Sequence, residues 1–356
     1  MYRSIIICVL IVLIFSCKDT GSLSENEGIN RGFVIDTANI KSYGMGNIKL
    51  SMYGFFSGKI GDLIPSENVM KYELNSPLFS DYAGKERFIS LPMGKMIEFN
   101  KTEVFKFPQG TTLIKNFFYP DSSGNSKIVE TRLLIHEPFG WRPITYIWND
   151  EQTEAYFHML GADVPVVATD GEGKKHSMLY SVPDINQCKN CHMKDQGTFP
   201  IGPSARQLNK MVNIDDRVVN QLEYYRPFIS NLPDIKSIDA LVDYADKSHA
   251  LDLRARSYLD SNCGNCHRPE GSAKTSGLNL NYYEEDLFKL GVNKGPVAAG
   301  KASGGRLYDI TAGNPDASII VYRMESTDPE VMMPEMGRKL VHKEGIELIR
   351  EWITSM

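Results

Sequence analysis

Positive charge, surplus cysteine and long apolar stretches are all scarce in this chain, and each shortage excludes something. The 39 lysines and arginines are outnumbered by 44 aspartates and glutamates, for a net charge of -5. No basic run is dense enough to reverse that balance, which argues against a general nucleic-acid binder. The apolar run that stands out, Ile5 to Phe15, is too short to cross a bilayer comfortably. Cysteine is limited to six residues, and their positions leave none for a conventional disulfide framework. The rest of the composition, 42% apolar and 23% charged, is that of a soluble folded protein with room for more than one domain.

The first residues read as a targeting segment. Arg3 precedes the apolar run, which ends "LIFSC" at Cys17. That ending resembles the lipobox of bacterial lipoproteins, so residues 1–17 are expected to be a signal peptide and Cys17 the lipidated residue. The polar residues 18–31 read as a flexible tether. Such a protein is exported and faces the periplasm or sits at the outer membrane or cell surface, held to the membrane through its lipid. Lys18 after the cysteine favours the outer membrane. Cys8 leaves with the signal.

Four cysteines remain, and all lie in two copies of Cys-x-x-Cys-His: "CKNCH" at 188–192 and "CGNCH" at 263–267. Two thiols one helical turn apart can each form a thioether with a porphyrin vinyl group, and the adjacent imidazole reaches the iron from the same side. Cys188, Cys191 and His192 are therefore expected to hold one haem c, and Cys263, Cys266 and His267 a second. Paired zinc-ribbon cysteines sit roughly 15–20 residues apart, closer than these two pairs, and need no histidine after each pair. A redox dithiol would need a βαβ context, which is not seen. Haem ligation of this kind happens outside the cytoplasmic membrane, so the signal and the motifs explain each other.

The second axial ligand of the His267 haem is expected from "STDPEVMMPEMGRKL": Met333, followed by Pro334, with Met332 and Met336 as alternatives. For the His192 haem, His158, His176, Met178 and Met211 are candidates without a motif to choose among them, and an open position on that iron is a further option.

Residues 32–183 alternate apolar and polar side chains in short runs, notably "TTLIKNFFYP" and "SKIVETRLLIHEPFGWRPITYIWND", and read as a β-rich domain with Trp141, Tyr146 and Trp148 in its core. The remainder reads as mainly helical: a first haem segment at 184–249 and a domain at 250–356 carrying the second haem. Helices are expected in "DDRVVNQLEYYRPF", in "SIDALVDYADKSH", from "LDLRARSYLD" into the second motif, and in "KEGIELIREWITSM". The expected fold class is thus multidomain α+β, a β-rich N-terminal domain followed by mainly α-helical cytochrome c-type haem domains.

With these motifs in place, the chain resembles a family of uncharacterised, exported bacterial diheme c-type cytochromes, often encoded beside a parallel β-helix repeat protein. The likeness rests on "LSMYGFF", "YELNSPLFSDYAGKERFISLP", "FPQGTTLIKNF", "ETRLLIHEPFGW", "QCKNCH", "PIGPSARQLN", "NQLEYY", "LDSNCGNCHRP" and "LIREWI". Residues 250–356 resemble a class I cytochrome c domain, whose terminal helices pack together. The family pattern has Met-Pro-Pro where this chain has "MMPEMG", which keeps Met332 and Met336 beside Met333. The resemblance implies covalently bound haem c at both sites, with the β-helix repeat protein a further candidate partner. Two haems in one chain, letting an electron enter at one and leave at the other, make electron transfer between redox partner proteins the expected function. The alternatives are a diheme peroxidase-like enzyme with an open first haem, and a β-domain binding module coupled to the haems. No catalytic residue is assigned.

Overall fold

The computed structural model describes residues 46–121 and 123–356. The expected signal peptide, Cys17, the expected tether and the start of the expected β-rich region lie outside the described residues. No helix among those described is long and apolar enough to cross a membrane.

The strands appear largely where alternation placed them. Nine occupy the first half: β1 (Val69–Tyr72), β2 (Gly84–Ser90), β3 (Ile97–Glu98), β4 (Thr112–Pro120), β5 (Ser126–Glu137), β6 (Gly140–Trp148), β7 (Ala155–Phe157), β8 (Ala162–Thr169) and β9 (Lys175–Val182). Six of them form an antiparallel sheet in the order β1-β2-β4-β5-β6-β7. In such a ladder, directly paired residues share a face. Phe88, Ile114, Leu133 and Ile144 are paired in succession and bury one face against Leu50, Phe55 and Phe56. The opposite face is divided. Ile89, Leu113 and Leu134 pack with Ala205, Leu208, Leu222 and Ile229 from the second half of the chain. Phe117 packs under the β8–β9 hairpin with Val166, Ala168 and Tyr180. Between these two apolar ends the face is charged. Tyr146 and Trp148 are buried as expected, whereas Trp141 stacks on His136 at 4.4 Å and lines a cavity.

The expectation of mainly helical haem-bearing domains is overturned. Strand exceeds helix, and the described residues contain six α-helices, of which only α4 (Leu251–Asn262) and α6 (Lys343–Thr354) reach 12 residues. The others are α1 (Ile185–His192), α2 (Ala205–Leu208), α3 (Gln221–Tyr224) and α5 (Ile319–Glu325). "DDRVVNQLEYYRPF" is mostly not a helix. Asp215 and Asp216 adopt left-handed conformations (φ 51 and 59) and turn a hairpin between β12 (Met211–Ile214) and β13 (Arg217–Asn220). Its β-branched valines suit a strand, and Asn220 then caps α3. This hairpin follows a smaller one, β10 (Met193–Lys194) with β11 (Gly197–Thr198). "SIDALVDYADKSH" is irregular because Asp243 and Asp246 accept hydrogen bonds from the amides two residues ahead, 2.9 Å each. Such local bonds compete with a helix. From Gly277 to Gly313 the chain is irregular too, with five glycines after the first at positive φ.

The last helix matches its sequence pattern: Ile346, Leu348, Ile349 and Trp352 are buried. Together α4 and α6 form one core with Leu280, Ile310 and Val321. Their crossing is tight at Gly345, where a Cβ would lie 2.3 Å from Tyr258 Oη, so only glycine fits there.

Candidate functional site

The two motifs meet. Both line a single cavity of about 2060 Å³, together with Met332, Met333, Met336 and the charged part of the sheet. That is about twice the top of the ~300–1,000 Å³ range of small-molecule sites. The Cys191 and Cys266 thiols are within hydrogen-bonding reach of each other, and Cys266 Sγ lies 3.9 Å from Asn190 O.

The first motif is a capped helix. Asp184 accepts from Gln187 N at 2.8 Å while Gln187 Oε1 accepts from Asp184 N at 3.0 Å, a reciprocal capping box that satisfies otherwise orphaned amides. Helix α1 packs on β6. After His192 the β10–β11 hairpin turns the chain back. Its return brings Phe199 O to 2.8 Å from His192 Nδ1. A carbonyl only accepts, so Nδ1 carries the proton and Nε2 keeps its lone pair.

The second motif is built differently. Helix α4 ends at Asn262, and the motif follows as a turn rather than as a continuation of the helix, with Cys263 N donating to Leu259 O and His267 N to Cys263 O, both 2.9 Å. Gly271 lets the chain fold back over it, since a Cβ there would lie 2.2 Å from Cys266 O. His267 Nδ1 is 3.0 Å from Ser276 Oγ. The Ser276 hydroxyl donates to Ala273 O at 2.7 Å, so it accepts from His267, and again Nε2 keeps its lone pair. Burial lowers the pKa of both imidazoles to about 4, which keeps them neutral, the form that ligates metal.

The cysteines are unpaired thiols. Burial pushes Cys188 up and Cys263 up to about 12. In the Cys191–Cys266 pair, the hydrogen bond between the two thiols raises Cys191 and lowers Cys266. Among the described residues, no three His, Cys, Asp or Glu side chains gather around one point as a metal cage.

The methionine loop borders the cavity. Met332 is buried and Met333 half-buried. Met333 N donates to Arg323 O at 3.0 Å, and its carbonyl accepts from Arg338 at 2.8 and 3.1 Å. Met336 Sδ lies 3.8 Å from Asn190 Nδ2, so the loop touches the first motif as well as its own lobe. None of His158, His176, Met178 and Met211 lines the cavity; His176 is instead bound to Asp170 at 2.9 Å.

Several residues at the site had no motif to announce them. Glu103 takes Lys194 at 2.8 Å and Arg268 at 2.8 and 2.9 Å, tying the hairpin after His192 to the residue after His267. Burial alone would raise its carboxyl, but these two cations hold it below its ordinary value. The sheet contributes Arg87, Lys115 and Arg132. No sequence signal marks this row: Lys115 stands beside Asn116 in a strand that is not uniformly apolar.

No protein-family model, curated protein or solved structure matches the chain.

Proposed function

We propose that this chain is an exported, lipid-anchored diheme c-type cytochrome that passes electrons between redox partner proteins. The observation carrying this reading is the paired histidine geometry. Two independent Cys-x-x-Cys-His segments converge on one cavity, and in each the histidine has Nδ1 engaged and Nε2 free. Engagement of the second ring nitrogen fixes tautomer and ring orientation at a metal site.

The residues fit two haem c groups. Cys188, Cys191 and His192 would hold one and Cys263, Cys266 and His267 the other, with Met333 the first choice for a further ligand at the second. When bound, the two groups supply one-electron chemistry at potentials set by their ligands and surroundings. The chain's own part is to hold the two motifs together. The Lys194–Glu103–Arg268 bridge does so, and the acidic balance suits brief docking to a basic partner face.

The test is the mass of holoprotein matured in a haem-ligating periplasm. Two haem masses are expected, one lost from a Cys188→Ala/Cys191→Ala variant and the other from Cys263→Ala/Cys266→Ala. A polypeptide carrying only acyl chains would overturn the reading.

A diheme peroxidase-like enzyme is favoured by one observation, that none of the four candidate second ligands for the His192 iron lines the cavity. A high-spin iron in the resonance spectrum, bleached by peroxide, would support it; two low-spin six-coordinate irons would remove it.

A further inference from the structure

The part of the sheet that looks into the cavity is charged where a buried sheet face is ordinarily apolar. Register sets Arg87 opposite Lys115, and Lys115 opposite Arg132, across β2, β4 and β5. All three line the cavity. Like charges directly opposite each other destabilise a ladder, and a buried cation without a counter-charge costs much more.

Only one of the three has a carboxylate in contact with it; Glu73 acts on Arg87 without forming an ion pair. Glu130, fully buried, takes Arg132 at 2.5 and 2.9 Å and Tyr180 Oη at 2.7 Å. Arg87 is 7% exposed, and its Nη2 is buried without a hydrogen-bond partner. Burial first, and then the neighbouring cations Arg87, Lys85 and Arg132, push the Lys115 ammonium well below its ordinary range, with only the Glu130 carboxylate acting the other way. Two cations are therefore left facing the cavity, and the row sits at the first motif. Arg132 and Lys115 both act on the His192 ring, and Arg132 acts on the Cys188 thiol. A group bearing two carboxylates would supply what the sheet lacks.

We propose that Arg87 and Lys115, beside the Glu130-paired Arg132, receive the two propionates of the haem attached at Cys188 and Cys191. This rests on the diheme reading above. A free carboxylate has the same chemistry, so the test separates the two sources.

The experiment is a redox titration of holoprotein whose mass first shows two haems. A cation near an iron favours the reduced state, so Arg87→Gln/Lys115→Met is expected to move one of the two waves to lower potential. The other wave, identified as the one that Met333→Ala lowers, stays in place. Charge-keeping Arg87→Lys/Lys115→Arg leaves both waves nearly where they were, which a merely structural role would not predict. Lys115→Met alone, close in size to the original, is read the same way where the double variant does not fold. Acetate added to the unaltered protein at constant ionic strength is expected to move neither wave. The proposal is overturned if both haems are present and neither wave shifts in the neutralised variants. It is overturned equally if acetate moves the first wave, which assigns the row to a free anion. Unaltered protein without haem mass sinks the diheme reading itself, and this inference with it.

Discussion

Cys188–His192 lies on a capped helix against a sheet that presents cations, while Cys263–His267 lies in a turn beyond a helix, in a lobe that presents methionines. The same five-residue pattern thus stands on two scaffolds. Both deliver an imidazole with Nδ1 engaged, one through a backbone carbonyl and the other through a serine hydroxyl. If the diheme proposal holds, the pattern specifies attachment and the surroundings specify the electrostatics. On the proposed reading, charge on one side and a thioether on the other are what would set the two sites apart.

The sharpest way to break that contrast is through the buried ion pairs of the two regions. Glu130→Gln leaves the half-buried Arg132 next to Lys115 and Arg87 without the chain's own carboxylate, and removing one partner of a buried pair costs up to about 3–5 kcal/mol. The corresponding pair in the other lobe is Lys294 with Asp309 at 3.3 Å. There Lys294 Nζ also donates to Ser276 O at 2.7 Å and Gly295 O at 3.3 Å, so Asp309→Asn leaves a cation that is still solvated by carbonyls. Denaturant unfolding of the two holoprotein variants is expected to show the larger loss for Glu130→Gln. Equal losses would mean that the sheet's charge row is no different from any buried pair.

A second contrast is in pH. His342 lies between the helices of the second lobe, 3.1 Å from Tyr258 Oη and stacked on Phe79 at 4.1 Å. Burial lowers its pKa from 6.5 to about 4. Between those values the unfolded chain binds the proton and the folded chain does not, so the contribution is intact above 6.5 and disappears as pH falls toward 4. The difference corresponds to about 3 kcal/mol. His342→Phe should flatten the acid limb of stability across that window, as measured by thermal melts at successive pH values. A limb of unchanged steepness would place the titrating group elsewhere.

What the sequence made legible followed from chemistry that is local. Alternation located β4, β5 and β6, an apolar stripe located α6, and the cysteine spacing located both motifs. The misplaced helices at 215–228 and 237–249 share one cause. Apolar spacing there was compatible with a helix, but Asp215, Asp216, Asp243 and Asp246 engage or bend the backbone locally, a competition that periodicity does not register. The charged row was illegible for a different reason. Arg87, Lys115 and Arg132 are remote in sequence and become neighbours only through strand register. Glu103, which joins the two motif regions through Lys194 and Arg268, is remote from both in the same way.

The smallest effect expected is also the most local. Helix α1 has a reciprocal capping box at Asp184, whereas α4, which leads into the other motif, has Ala250 at its N-cap and no side-chain cap. Asp184→Ala removes an acceptor worth about 1 kcal/mol, a roughly fivefold change in local opening. Amide exchange across residues 185–192 should accelerate by about that factor, while residues 263–267 keep their rates. Their bonds to Leu259 and Cys263 carbonyls draw nothing from the cap. If both motifs accelerate together, the Glu103 bridge couples them into one cooperative unit, and the two scaffolds act as one.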